Sequence, residues 1–185
     1  MRLFVAIVPP PAALDELDAA AAPLRPAWPG LRWTGREAWH ITLAFLGEVG
    51  EPAAARLAPR MQRAASRYRR LGLSFAGAGA FPGAARARVL WTGLAGERGT
   101  LEHLAASVAA GARRAGAPPP DERRRFLPHV TLARTRLPTD VRSLIGALDG
   151  YAGTAWTAER IELIRSHTGP QPRYELLASW PLLGQ

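Results

Sequence analysis

The sequence predicts a mixed fold of helices and strands organised as two matching halves, roughly residues 1–96 and 97–185. Two observations carry this. Short apolar runs of strand length alternate with stretches whose apolar residues recur at helical spacing. The order strand, helix, hairpin also occurs twice, and one strand in each half carries the same pattern, His40-Ile41-Thr42 and His129-Val130-Thr131. Internal repetition of this kind points to duplication, although the halves share little else.

Leu3 to Val8 reads as a buried strand stopped by Pro9-Pro10-Pro11. Pro11 to Leu24 follows as a helix, with Leu14, Leu17, Ala21 and Leu24 on one face. Trp39 to Leu46 is the next strand. Pro52 to Leu71 reads as helical, with Pro59 kinking it or marking its start. Leu73–Phe81 and Arg86–Leu94 form a hairpin about Pro82-Gly83. In the second half, Leu101, Leu104, Ala105 and Val108 mark a helix ending near Gly111 or Gly116. A loop through Pro118–Arg125 leads into a strand at Phe126–Arg134. Val141, Leu144, Ile145 and Leu148 give a helix that Thr139 is placed to cap. Strands at Trp156–Arg165 and Tyr174–Leu183 flank a turn-rich segment.

Composition excludes whole classes of chemistry. With no cysteine among 185 residues, disulfides, thiolate nucleophiles and Cys-ligated metals are absent. All 24 basic residues are arginine, so there is no Schiff-base lysine, lysyl-nucleotide intermediate or P-loop lysine. The formal charge of +9 favours an anionic partner. The apolar N-terminal run is too short to span a membrane and lacks a cleavage site, so a cytoplasmic protein without membrane association is expected.

Side chains alternate along a strand. Simple alternation puts His40, Thr42 and Ala44 on one face and Ile41, Leu43 and Phe45 on the other. It likewise groups His129, Thr131 and Ala133 against Val130, Leu132 and Arg134. One such histidine is ordinarily a satisfied strand residue; two in matching positions point to a shared cleft. Neither motif has a carboxylate or second histidine at ligand spacing, so no metal and no cofactor is expected. Paired imidazoles suit phosphodiester cleavage, where one proton is taken and another supplied. Threonine hydroxyls can donate to non-bridging phosphate oxygens.

The segments His40-Ile-Thr-Leu-Ala-Phe-Leu-Gly47 and Phe126-Leu-Pro-His-Val-Thr-Leu-Ala-Arg134 resemble the paired signatures of the 2H phosphoesterases. The similarity is to the RNA 2′,3′-cyclic phosphodiesterase branch, also called 2′-5′ RNA ligase-like. It runs from the Arg2-Leu-Phe-Val-Ala-Ile start to Gly169-Pro170 and Tyr174. The resemblance implies an α+β, bilobal fold: pseudo-symmetric lobes with antiparallel sheets around a central cleft and helices outside. It implies hydrolysis of an RNA 2′,3′-cyclic phosphate, on RNA ends or small cyclic nucleotides, to a 2′-phosphate. His40 would then protonate the departing 3′ oxygen and His129 activate water, or the reverse, while Thr42 and Thr131 hold the phosphate. Arg134 ends the second motif, but alternation points it away from His129 unless the strand twists or bulges there.

Arg123, Arg124 and Arg125 precede the second motif closely enough to guide an RNA backbone. Arg56, Arg60, Arg63 and Arg67 form a helical stripe that reads as a solvated face. Trp33, Trp39 and Phe45 are aromatic candidates for base stacking, with core packing the expected role of each. His103 and His167 have no repeat partner and are expected at the surface. Two further functions compete: a non-catalytic RNA-binding protein, and ATP-independent 2′-5′ ligation by the same site in reverse. A monomer is expected.

Overall fold

A computed structural model describes residues 1–120, 125–167, 169 and 173–184. The chain runs β1 (Arg2–Ile7), α1 (Pro11–Ala21), β2 (Arg32–Trp33), β3 (Ile41–Glu48), α2 (Glu51–Ala65), β4 (Leu71–Phe81), β5 (Ala87–Gly96) and α3 (Arg98–Ala115). It continues through β6 (Val130–Thr139), α4 (Arg142–Leu148), β7 (Trp156–Ala158), β8 (Arg160–His167) and β9 (Arg173–Pro181). Two antiparallel sheets result, ordered β3-β1-β8-β9 and β2-β6-β5-β4-β7. The architecture is the α+β, two-sheet arrangement expected.

Each sheet takes strands from both sequence halves. β1 and β3 join β8 and β9 in one sheet, while β4 and β5 join β6 and β7 in the other. Beside β2, the second sheet has the order β6-β5-β4-β7, which corresponds strand for strand to β3-β1-β8-β9. The motif strands β3 and β6 therefore hold equivalent places.

Burial explains the helices. Leu57, Met61, Ala64 and Ala65 of α2 meet the buried stripe of α3, Leu101, Leu104, Ala105, Val108, Ala112 and Ala115, and α3 also packs on β3. α1 and α4 pack against β4. Leu3, Val5 and Ile7 of β1 enter the large core, whereas Phe4 and Ala6 form a separate small cluster with Ile164 on the opposite face. No helix among the described residues is long and apolar enough to cross a membrane.

Several boundaries differ from the sequence reading. Pro59 neither starts nor breaks α2, which runs through it with the ring on the exposed face. That helix stops at Ala65, and Leu71 already begins β4. Gly111 is interior to α3; Gly116, with φ 84°, is the residue that ends it in the left-handed conformation glycine favours. Thr139 does not cap α4: its hydroxyl donates to the Leu137 carbonyl, while the Asp140 carboxylate accepts the Arg142 N–H. His167 closes β8 instead of lying in a turn.

Candidate active site

Both histidines stand one residue ahead of a strand, His40 before β3 and His129 before β6. A cleft of about 1340 Å³ is lined by Thr42, Phe45, Phe81, His129, Thr131 and Arg134, among other residues. His40 is close enough to His129 and Arg134 for their charges to act on it. It also forms part of the wall of a second cavity, of about 350 Å³.

Matched bulges correct the alternation read from the sequence. On β6, Thr131 lies opposite Trp91, Ala133 opposite Leu90 and Arg134 opposite Val89, so Leu132 is an extra residue. Cross-strand partners share a face and neighbours on β5 alternate. Thr131 and Arg134 therefore face the same way, with Trp91 and Val89, and Ala133 turns into the core. β3 does the same: Thr42 is opposite Ala6, Ala44 opposite Val5 and Phe45 opposite Phe4, leaving Leu43 extra. Ala44 and Ala133 are buried, while Phe45 and Arg134 swing toward the cleft. One lobe thus offers an aromatic ring where the other offers a guanidinium.

The imidazoles are held alike. His129 Nδ1 lies 2.6 Å from the carbonyl oxygen of Leu127, two residues earlier. A carbonyl only accepts, so Nδ1 carries hydrogen. His40 is hydrogen-bonded to the backbone of Ala38, again two residues earlier. Rings fix the remaining freedom. Phe4 stacks on His40 at 4.6 Å and Tyr174 meets its edge at 5.3 Å. Phe81 and Trp91 lie 5.0 and 5.9 Å from His129. Trp91 in turn covers Gly79, where a Cβ would come within 2.2 Å of its ring.

Burial, then the charges of His129 and Arg134, push the His40 pKa down to about 4, against an opposing hydrogen bond to Ala38. His40 is neutral at neutral pH. Neither the Thr42 nor the Thr131 hydroxyl is bonded to another described residue, and Arg134 makes no ion pair or hydrogen bond with one. Three donors are thus available to an anion. No group of three or more His, Asp or Glu among the described residues could hold a metal ion.

Thr34 is a site-supporting residue that the sequence reading did not single out. Its hydroxyl contacts the carbonyls of Thr131 and Leu132 at 2.7 and 3.0 Å, and accepts the Trp39 indole N–H at 3.0 Å. A lone threonine outside both motifs and without periodic context carries no signal that could have revealed this.

Other candidates fall away from the chemistry or onto its rim. Arg125 is exposed at the cleft edge, and Arg123 and Arg124 lie outside the described residues. Arg56 donates to the Ala115 carbonyl at the end of α3, whereas Arg63 and Arg67 face solvent. Trp39 is fully buried and Trp33 is partly buried against Trp28 and Arg25. Phe45 lines the cleft instead of the core and carries Arg2 over its ring. His103 is exposed, and His167 pairs with Glu175 at 2.8 Å.

A family model described as LigT like phosphoesterase matches residues 7–91 and 94–174. An Aeropyrum pernix RNA 2′,3′-cyclic phosphodiesterase is 39% identical over 60% of this chain and 61% of its own length. A Geobacillus stearothermophilus protein of the same name is 30% identical over 98% of this chain. The match spans only 57% of that relative. The chain therefore covers about three-fifths of these curated relatives. The crystal structure of E. coli LigT complexed with 3′-AMP has a TM-score of 0.79 at 27% identity, covering 98% of this chain and 97% of that one.

Proposed function

Because this chain belongs to the LigT like phosphoesterase family, we propose that it hydrolyses RNA 2′,3′-cyclic phosphate ends to 2′-phosphates without a metal ion. The observation that supports this reading is a cleft lined by Thr42, His129, Thr131 and Arg134, with His40 near enough to feel the charges of His129 and Arg134. The relatives named RNA 2′,3′-cyclic phosphodiesterase support the substrate class.

In this reading Thr42, Thr131 and Arg134 hold the non-bridging oxygens and stabilise the charge that grows there. Water attacks phosphorus as the P–O3′ bond breaks. The neutral state of His40 fits it to take the proton from water. His129 supplies a proton to the departing 3′ oxygen, leaving a 3′-hydroxyl and a 2′-phosphate. This is the second of the two assignments that the resemblance leaves open. The arginine-rich surface favours RNA over neutral partners. The protein acts as a cytoplasmic monomer in this reading.

The test is incubation of purified protein with EDTA and an oligonucleotide ending in a 2′,3′-cyclic phosphate. The expected product is the 2′-phosphate, formed at the rate seen without chelator. No turnover, or a 3′-phosphate product, overturns the reading.

A further inference from the structure

The 350 Å³ cavity beyond His40 is walled by Val8, Tyr174, Leu176, Ile164 and Glu162. Its size is at the lower end of the roughly 300–1,000 Å³ of sites that enclose a small organic ligand. Three of its apolar walls are open to solvent: Val8 is 42%, Tyr174 37% and Leu176 57% exposed. Exposed apolar and aromatic surface beside a nucleotide-phosphate site is the surface on which single-stranded bases stack.

Glu162 adds selectivity. Ala6 is the register partner of both Thr42 and Glu162, so the glutamate projects from the same sheet face as the motif threonine. Its side chain is only 16% exposed, and its one ion pair among the described residues is to Arg160 at 4.0 Å. No described residue donates a hydrogen bond to the carboxylate. Burial accordingly pushes its pKa up, with Arg160 opposing. Of the other charged groups at the cavity, Arg36 is engaged and Glu37 is exposed. Arg36 bonds Asp15 and the Pro11 carbonyl, and Glu37 folds over Gly35.

We propose that this cavity binds the base of the nucleotide bearing the cyclic phosphate, and that Glu162 selects guanine there. An ionised carboxylate only accepts hydrogen bonds. Guanine alone among the four bases offers two adjacent N–H donors, N1–H and the 2-amino group, on its Watson–Crick edge. Adenine and cytosine place a ring-nitrogen lone pair beside their amino group. Uracil flanks its one N–H with carbonyls. Each would set an acceptor against the carboxylate, which costs binding.

This inference rests on the proposed reaction, and the experiment separates the two. kcat/KM is measured for the four 2′,3′-cyclic mononucleotides with the wild type, Glu162→Gln and Glu162→Ala. The expected result is a guanine preference of about tenfold, the scale of a hydrogen bond to a charged group, abolished in both variants. A wild type without guanine preference, or a preference that survives both substitutions, overturns it. If no cyclic nucleotide is turned over, the reaction fails while the subsite is still decided by calorimetry with guanosine and adenosine 2′-monophosphates. Tighter guanosine binding that Glu162→Gln removes supports the subsite; equal affinities refute it.

Discussion

The Thr34 hydroxyl lies 2.7 Å from the Thr131 carbonyl oxygen and ties the approach to one motif to the bulge of the other. It also accepts the indole N–H of Trp39, the residue before His40. Its own N–H also bonds the Leu132 carbonyl at 2.9 Å. A single threonine therefore bonds the Thr131 and Leu132 carbonyls at the β6 bulge and holds the indole of the fully buried Trp39.

Thr34→Val keeps the shape and removes both hydroxyl functions. Unsatisfied buried partners cost about 1–3 kcal/mol, so the melting temperature should fall. Small misplacement of a reacting group is costly. Below the melting range kcat should drop about tenfold with KM little changed, and Thr34→Ser should restore it. Unchanged kcat in a folded Thr34→Val protein would mean that the bonds only stabilise the chain.

Arg134 reaches the cleft only through the Leu132 bulge. Arg134→Ala should lower kcat/KM by roughly 10²–10³-fold, the scale for removing a transition-state donor. Lysine should recover part of this, since it lacks the planar fork that grips two phosphate oxygens. Kinetics on a cyclic mononucleotide decide the matter: a loss below about threefold would remove Arg134 from phosphate binding.

Much of this was legible in the sequence, because apolar periodicity and the repeated His-x-Thr report local geometry directly. The motif strands, the hairpin about Pro82 and the helix stripes all follow from it. What escaped depends on partners distant in sequence. Leu43 and Leu132 look like ordinary alternating strand residues, yet each is the extra residue of a bulge defined by its register against β1 or β5. Those bulges reverse the facing of Ala44, Phe45, Ala133 and Arg134. The exchange of strands between halves is likewise invisible locally, since β8 joins β1 across the whole chain.

Stability should depend on pH through His40. Its folded pKa of about 4 lies below the ordinary 6.5. As pH falls below 6.5 the unfolded chain takes the proton first, so stability is present above that value and is lost down to about pH 4. The full effect is on the order of 3 kcal/mol. Urea unfolding at pH 7 and pH 4 measures it, with His40→Gln as the reference that cannot titrate. The wild type should lose more stability than the variant over this range; equal losses would show that His40 is not held neutral.

The two histidines should differ in what rescues their loss. His40→Ala and His129→Ala should each slow turnover by roughly 10²–10⁴-fold, the scale of a positioned base or acid. The double variant should lose much less than the product, because groups acting together are not additive. A cyclic substrate with sulfur in place of the 3′ oxygen separates the roles. A thiolate leaves without a proton, so this substrate needs the base but not the acid. With His40 as base and His129 as acid, the sulfur substrate should restore most of the rate to His129→Ala and little to His40→Ala. The opposite pattern would exchange the roles. Equal rescue of both would show that neither imidazole protonates the leaving oxygen. His103→Ala, changed at an exposed position on α3, should match the wild type on both substrates and calibrates the comparison.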